Sequence, residues 1–390
     1  MTLLLLVIIY LIFISLGLPD GILGSAWPAI QQDLHQPLGL GGLIALVVTL
    51  MTIVSSLATS LLVRKLGIGV LLSSSVALTA LALFGFSQAP SVAWIFIFAV
   101  PLGLGAGAID SALNNYVASH YDAHHMNWLH AFWGVGATIG PIIFSTSLIH
   151  TGNWHSGYLN LGIIQVGIVI IMLLSLPLWN KVKKRKVADT PEDHTELSDI
   201  KFSLLLKEQI VRYTFVTFLF YNGVEVVVGL WLASYLVNIQ SISIETASLW
   251  TAYYYGAITV GRLLTGFISF KVSSKQMIRT GLALALIGAV TLALNIHPLL
   301  SICGIFLIGI GFAPIYPGLI HLTPERFGIR KSAKIMSLQM VGGYIGASVI
   351  PPLVGLLSGV ISLHVFAIIT PLLLLLIILT TERLNKITAK

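Results

Sequence analysis

Apolar stretches long enough to cross a bilayer follow one another along nearly the whole chain, separated by gaps of a few residues. The hydrocarbon core of a membrane is about 30 Å thick and takes roughly 20 helical residues to span. Runs of this length, broken by short polar or Pro/Gly-marked gaps, read as helices. We place them at 3–30, 38–63, 68–88, 92–120, 127–150, 156–179, 209–237, 243–270, 276–296, 298–322, 334–358 and 361–381. The gaps at 89–91, 297 and 359–360 are the shortest, where a tight hairpin and one long bent helix look alike. Only 9% of the residues are Asp, Glu, Lys or Arg, against roughly 25% in soluble domains. A chain this poor in charge meets lipid, so an all-α membrane protein of twelve spans is expected, with the bilayer as its surroundings. The first run passes through Pro19 and Asp20 without a basic flank, too long for a signal segment, and reads as a retained span. The single cysteine, Cys303, sits in an apolar run and reads as packing.

The longest polar stretch runs from Asn180 to Ser203, a basic cluster followed by an acidic, proline-containing one. It reads as a solvated cytoplasmic linker between two six-helix bundles, 1–179 and 204–390. Lys and Arg set the orientation, because they accumulate on the cytoplasmic side. With the N-terminus inside, the inner segments hold Arg64 and Lys65, the cluster from Lys181 to Lys186, then Lys201, Lys207 and Arg212. They also hold Lys271, Lys275 and Arg279, then Arg326, Arg330, Lys331 and Lys334, and finally Arg383, Lys386 and Lys390. No outward loop has one, and the remaining Arg262 lies inside the eighth span. A single miscounted span would invert every later loop and destroy the pattern. Both termini are therefore expected in the cytoplasm. The formal charge of +7 is a topological signal spread over one face, which argues against nucleic acid as a partner.

The halves echo one another. PDGILGSAW in the first span has Asp20, Gly24 and Trp27; GVEVVVGLW in the seventh has Glu225, Gly229 and Trp231. GLGAGAID in the fourth answers GIGFAPIYPG in the tenth, and GVGATIGP in the fifth answers GGYIGASVIPP in the eleventh. Such internal similarity marks many secondary transporters. It implies two pseudo-symmetric bundles around a central cavity.

A charge at the bilayer centre costs roughly 2.5–3.5 kcal/mol on insertion scales, so intramembrane acids need a reason to be there. Of the 14 acids, Asp20, Asp110 and Glu225 lie well inside spans. Carboxyl groups in a low-dielectric cavity can exchange protons near neutral pH and bias a conformational equilibrium; structural hydrogen bonding is the plain alternative for each. Arg262, the one intramembrane cation, either pairs with an acid or locks an inner gate, and its neighbours GRLLTG favour the gate. Around the acids are groups that suit a sugar-like ligand. Asn114 lies one turn from Asp110 on the same helix face. His130 and Trp133 are in the fifth span, Tyr221, Asn222 and Trp231 in the seventh, Tyr254 in the eighth, Tyr316 in the tenth and Gln339 in the eleventh. Amides hydrogen-bond hydroxyls and flat rings stack on the apolar face of a pyranose; interfacial aromatics and interhelical polar contacts are the plain alternative. His124 and His125 read as loop residues, and Gly136, Gly140 and Pro141 as either a hinge or packing.

The chain resembles the major facilitator superfamily over essentially its whole length, and within it the fucose/glucose/galactose–proton symporters. GAGAIDSALN is similar to that group's fourth-span pattern and maps the coupling acid onto Asp110 and its Asn onto Asn114. LPDGILGSAWP puts Asp20 where the group has a substrate-linked acid, and FLFYNGVEVVVGLW resembles its seventh-span pattern through Tyr221, Gly223 and Glu225. LLVRKLGIG departs from the superfamily by lacking the acid of the usual second-to-third-span loop. The resemblance implies proton-coupled uptake of a sugar or similar small polar solute by alternating access, in the plasma membrane, by a monomer. Asp110, Asp20 and Glu225 would handle protons. Sodium stays open as the coupling ion, because carboxylates and amides bind it too. GVGATIGP is also similar to a signature of drug–proton antiporters, which makes proton-coupled export the alternative. No HExxH or paired-Asp pattern suggests an enzyme, and neither a cofactor nor a metal is expected.

Overall fold

A computed structural model describes residues 2–121, 123–186 and 205–388. The linker beyond residue 186, with Lys201, and the terminal Lys390 lie outside the described residues. The described residues form fifteen helices: α1 (Thr2–Asp20), α2 (Ile22–Asp33), α3 (Leu40–Leu66), α4 (Ile68–Ser87), α5 (Val92–His120), α6 (Ala123–Thr151), α7 (Trp154–Lys186), α8 (Gln209–Asn238), α9 (Ile244–Ile268), α10 (Ser274–Leu294), α11 (Pro298–Phe312), α12 (Ile315–His321), α13 (Thr323–Phe327), α14 (Ile329–Val360) and α15 (His364–Thr388). Joining α1 to α2, and α11 to α13, yields twelve membrane-length elements, of which eleven are long and apolar enough to cross a bilayer. The other, α9, has 25 residues, but Glu245, Tyr253, Tyr254, Tyr255 and Arg262 dilute its apolar character.

The short gaps are real breaks. Gln88 closes α4 and Ser91 opens α5. Asn295 ends α10 in the left-handed region, at φ 48°, and the His297 side chain accepts from the Leu299 N–H ahead of a first-turn proline. The third break falls at 361–363, just after the expected place. Three boundaries differ more. The first span is two helices, parted at Gly21 immediately after Pro19 and Asp20. The helix α7 continues to Lys186, into the stretch read as linker, and α15 continues to Thr388. Neither extension contains a proline or glycine, so a helix leaving the membrane has no breaker to stop it. His124 and His125 lie in the first turn of α6, not in a loop.

The contacts divide the chain into two units. Unit 1 comprises Met1–Glu192 and Ile242–Ala252; unit 2 comprises Asp193–Ser241 and Tyr253–Lys390. The opening of α9 therefore groups with unit 1. There the Ser145 hydroxyl donates to the Glu245 carbonyl (2.8 Å) and the Ser248 hydroxyl to the Pro141 carbonyl (3.5 Å).

Each unit exposes large apolar side chains, as a lipid-facing protein requires, and buries polar ones within a largely apolar core. Leu57, Leu174 and Phe270 are exposed, while Ser15, Thr79 and Gln165 are buried. In unit 1 these three form a satisfied network. The Ser15 hydroxyl donates to Gln165 Oε1 (2.7 Å), and Gln165 Nε2 donates to the Ser15 carbonyl and to Thr79 Oγ1 (both 3.0 Å). That joins α1, α4 and α7 through bonds that cost nothing in unmet polarity.

The repeat seen in the sequence reappears as packing. In unit 1, a Cβ at Gly136 or Gly140 on α6 would fall on the Ile14 or Leu18 carbonyl of α1. In unit 2, a Cβ at Gly346 on α14 would fall on the Leu219 carbonyl of α8. Small residues let these backbones touch. The helix α6 runs unbroken through Pro141, and the glycines of GVGATIGP form a packing face against α1. Gly346→Ala should force α8 and α14 apart and destabilise by about 1–3 kcal/mol, the usual range for overpacking. A lowered thermal unfolding midpoint of the purified protein checks this.

Candidate functional site

In unit 1 the break at Gly21 leaves Asp20 as the last residue of α1, on an exposed surface although it lies within the membrane span. Trp133 of α6 reaches it: the indole N–H donates to Asp20 Oδ2 at 2.6 Å. The second acid, Asp110 on α5, is half-buried. Asn114, one turn on, donates through Nδ2 to Asp110 Oδ1 (2.8 Å) and to the Asp110 carbonyl (3.0 Å). Asp20 and Asp110 are close enough for the charge of one to act on the other. Among the described residues neither acid forms an ion pair. Aromatic rings line the same helices. Tyr10 stacks on Phe132 with centroids 4.6 Å apart, its hydroxyl bonds His125 Nδ1 (2.7 Å), and His130 sits edge-on to Phe13 at 5.9 Å. Tyr10 and Phe132 escaped the sequence reading. Tyr10, the one aromatic residue with a polar tip in the opening run, was the available signal.

In unit 2 the arrangement is different. Arg262 Nη2 on α9 lies 3.4 Å from Glu225 Oε1 on α8, with both side chains about 15% exposed (16% and 15%). Of the two alternatives for Arg262, an acid partner and a cytoplasmic gate, the structure shows an acid partner, Glu225. The reason is helix periodicity. Tyr221 and Glu225 are one turn apart on α8, Tyr254 and Arg262 two turns apart on α9, so both pairs meet on facing sides. The Tyr221 hydroxyl donates to the Phe312 carbonyl (3.2 Å) and stands beside Glu225 and Arg262. The Tyr254 hydroxyl donates to the Glu225 carbonyl (3.1 Å). Tyr316 joins through ring contacts to Tyr221 (6.4 Å) and Phe218 (5.5 Å), and its hydroxyl donates to Met340 Sδ (3.1 Å).

Two of the expected ligand groups, Trp231 and Gln339, are buried and engaged within the protein, and a third, Asn222, is half-buried. Trp231 is fully buried, its indole N–H donating to the Pro351 carbonyl (2.9 Å). Gln339 is buried and accepts from the Thr323 hydroxyl (3.1 Å). Asn222 donates to the Phe218 carbonyl (3.0 Å) of its own helix and abuts Gly343. The acid–Gly–Trp echo of the first and seventh spans thus holds for the buried Trp27 and Trp231 but not for the acids. Asp20 sits at the end of α1, just before a helix break, and has a tryptophan partner; Glu225 lies within unbroken α8 and has an arginine. Among the described residues no three His, Cys, Asp or Glu side chains gather as a metal site would require.

Helices long and apolar enough to cross a bilayer, with acids held inside them, define a polytopic membrane protein. The family model described as Major Facilitator Superfamily matches residues 9–351 and 213–386. The chain belongs to the major facilitator superfamily. It is 24% identical over 293 residues to the glucose/mannose transporter GlcP of Bacillus subtilis (strain 168), covering 73% of this chain and 70% of that protein. It is 22% identical over 385 residues to Bypass of stop codon protein 6 of Saccharomyces cerevisiae, covering 91% and 77%. Among solved structures, the nucleoside transporter NupG superposes with a TM-score of 0.74 at 14% identity, over 97% of this chain and 98% of that one. A peptide transporter POT variant in complex with alafosfalin superposes with a TM-score of 0.75 at 14% identity, over 98% and 95%. At that identity the two structures speak for the fold.

Proposed function

We propose that this transporter carries a sugar-like, polyhydroxylated solute together with a proton by alternating access, in the plasma membrane with both termini cytoplasmic. The observation that carries the reading is the pair of acids in unit 1, set within membrane spans and uncompensated by any cation among the described residues. A carboxylate there is tolerated when it meets water or takes a proton. Asp110, oriented by Asn114, is the proton carrier. Asp20 and Trp133 present a carboxylate and a flat ring to the solute, the pairing that suits hydroxyls on one side of a pyranose and C–H groups on the other. Protonation removes the charge that opposes desolvation, so the loaded, protonated form is the one that reorients; the proton then leaves to the opposite side with the solute. The sequence relationship to a protein named as a glucose/mannose transporter supports the solute class. The inward distribution of Lys and Arg supports the orientation.

The test is a counterflow screen on proteoliposomes. Aldoses should exchange and lipophilic cations should not, with accumulation driven by an inward proton gradient and not by an inward sodium gradient. Exchange of lipophilic cations without aldoses would replace this reading with export, and sodium-driven accumulation would replace the ion.

A further inference from the structure

The start of α8 and the end of α15, both in unit 2, border an open cleft of about 260 Å³ lined by Gln209, Arg212, Tyr213, Val216 and Thr380. Four of its five lining residues, all but Val216, carry hydrogen-bonding side chains. Thr380 donates to the Ile377 carbonyl (3.1 Å) and accepts from Thr217 (2.9 Å), making a polar floor. Arg212 is exposed at the mouth and forms no ion pair among the described residues. Arg383, one turn beyond Thr380 and so on the same side of α15, is likewise exposed and without an ion pair among the described residues. The acids nearest in sequence are already engaged. Glu208 binds Lys331 (2.7 Å), and Glu382 holds Arg279 through both oxygens (2.6 Å each). Arg212 therefore lines the cleft and Arg383 lies one turn beyond Thr380, two positive charges from two helices without an ion-pair partner among the described residues. Beside it, Leu376 and Leu379 face outward (41% and 62% exposed) one turn or less from Thr380.

We propose that this cleft binds the phosphate of an anionic phospholipid headgroup. Planar guanidinium groups match phosphate oxygens in two-pronged hydrogen bonds. The Gln209 amide and Tyr213 hydroxyl supply further donors, and the outward leucines lie where acyl chains would run. Basic clefts between helices at the membrane edge favour anionic over zwitterionic headgroups. The lipid belongs to the cytoplasmic leaflet under the orientation proposed above; headgroup capture in detergent is independent of that orientation and of the transported solute.

Native mass spectrometry of the full-length purified protein, equilibrated with equal dioleoyl phosphatidylglycerol and dioleoyl phosphatidylcholine, tests this. The wild-type chain should retain phosphatidylglycerol preferentially, and each of Arg212→Gln and Arg383→Gln should lower that preference roughly fivefold, the scale of one basic residue near an anionic surface. Lys271→Gln, a basic residue elsewhere in unit 2, should leave it unchanged, which separates this cleft from general charge. Inorganic phosphate in millimolar excess should fail to displace the lipid. Equal preference in wild type and both arginine variants, an equal loss in Lys271→Gln, or displacement by free phosphate would each overturn the proposal.

Discussion

Asp110→Asn should abolish solute-driven proton movement while leaving solute exchange largely intact. Asparagine has the shape of the carboxyl group and keeps an oxygen at the position that now accepts the 2.8 Å bond from Asn114, so the local helix face should not rearrange. What disappears is the group that can lose a proton. A carboxylate at the bilayer centre is penalised by roughly 2.5–3.5 kcal/mol, and in the wild type that penalty makes reorientation depend on protonation. Without it, exchange should lose its response to pH, and alkalinisation outside energised vesicles on solute addition should fall at least roughly tenfold, the factor 1.4 kcal/mol supplies. Proteoliposomes with an external pH dye, run beside labelled-solute counterflow, separate the two quantities. Undiminished alkalinisation in this variant would remove Asp110 from the coupling step.

The ion pair of unit 2 should behave in the opposite way. Glu225→Gln leaves the guanidinium of Arg262 largely buried without its carboxylate. Breaking one side of a buried pair costs about 3–5 kcal/mol, whereas replacing both sides by neutral groups is often close to neutral. Glu225→Gln should therefore sharply lower the unfolding midpoint in detergent and reduce transport, and Glu225→Gln combined with Arg262→Gln should recover most of both. The Tyr254 hydroxyl bonds the main-chain carbonyl of residue 225 (3.1 Å), so that contact survives in every variant and does not blur the comparison. A double-mutant cycle reads the coupling directly. Proton coupling retained in the double variant assigns Glu225 to charge balance within unit 2. If the double variant is as damaged as the two single losses summed, the two residues act separately and the pair has no energetic meaning.

The contrast between the acids shows where reading the chain in one dimension succeeds. Asp20, Asp110 and Glu225 stand out for one reason: a charged group among apolar neighbours is rare and expensive. The Asp110–Asn114 contact was equally readable, because four residues along a helix bring side chains onto one face. The pairing of Glu225 with Arg262 was half readable, since it follows from helix spacing once two spans are known to face one another. Its sequence neighbours pointed to the cytoplasmic end instead. The Trp133–Asp20 bond links residues 113 positions apart, and no local pattern marks it.

Hydropathy and the placement of basic residues were enough to establish a twelve-element helical membrane chain with a repeated half. Lipid allows backbone groups no other partner within such runs, and that constraint acts on each segment separately. What each polar side chain does inside the spans emerged from packing. Trp231 and Gln339 look like ligand groups by type, yet both are buried and hydrogen-bonded to neighbouring helices. Asp20 has a tryptophan and an exposed face because Pro19 and Gly21 break its helix and glycines on α6 bring that helix against α1. Whether a buried donor meets a protein atom or stays available to a solute depends on the approach of a second helix, a distance that residue order along the chain does not encode.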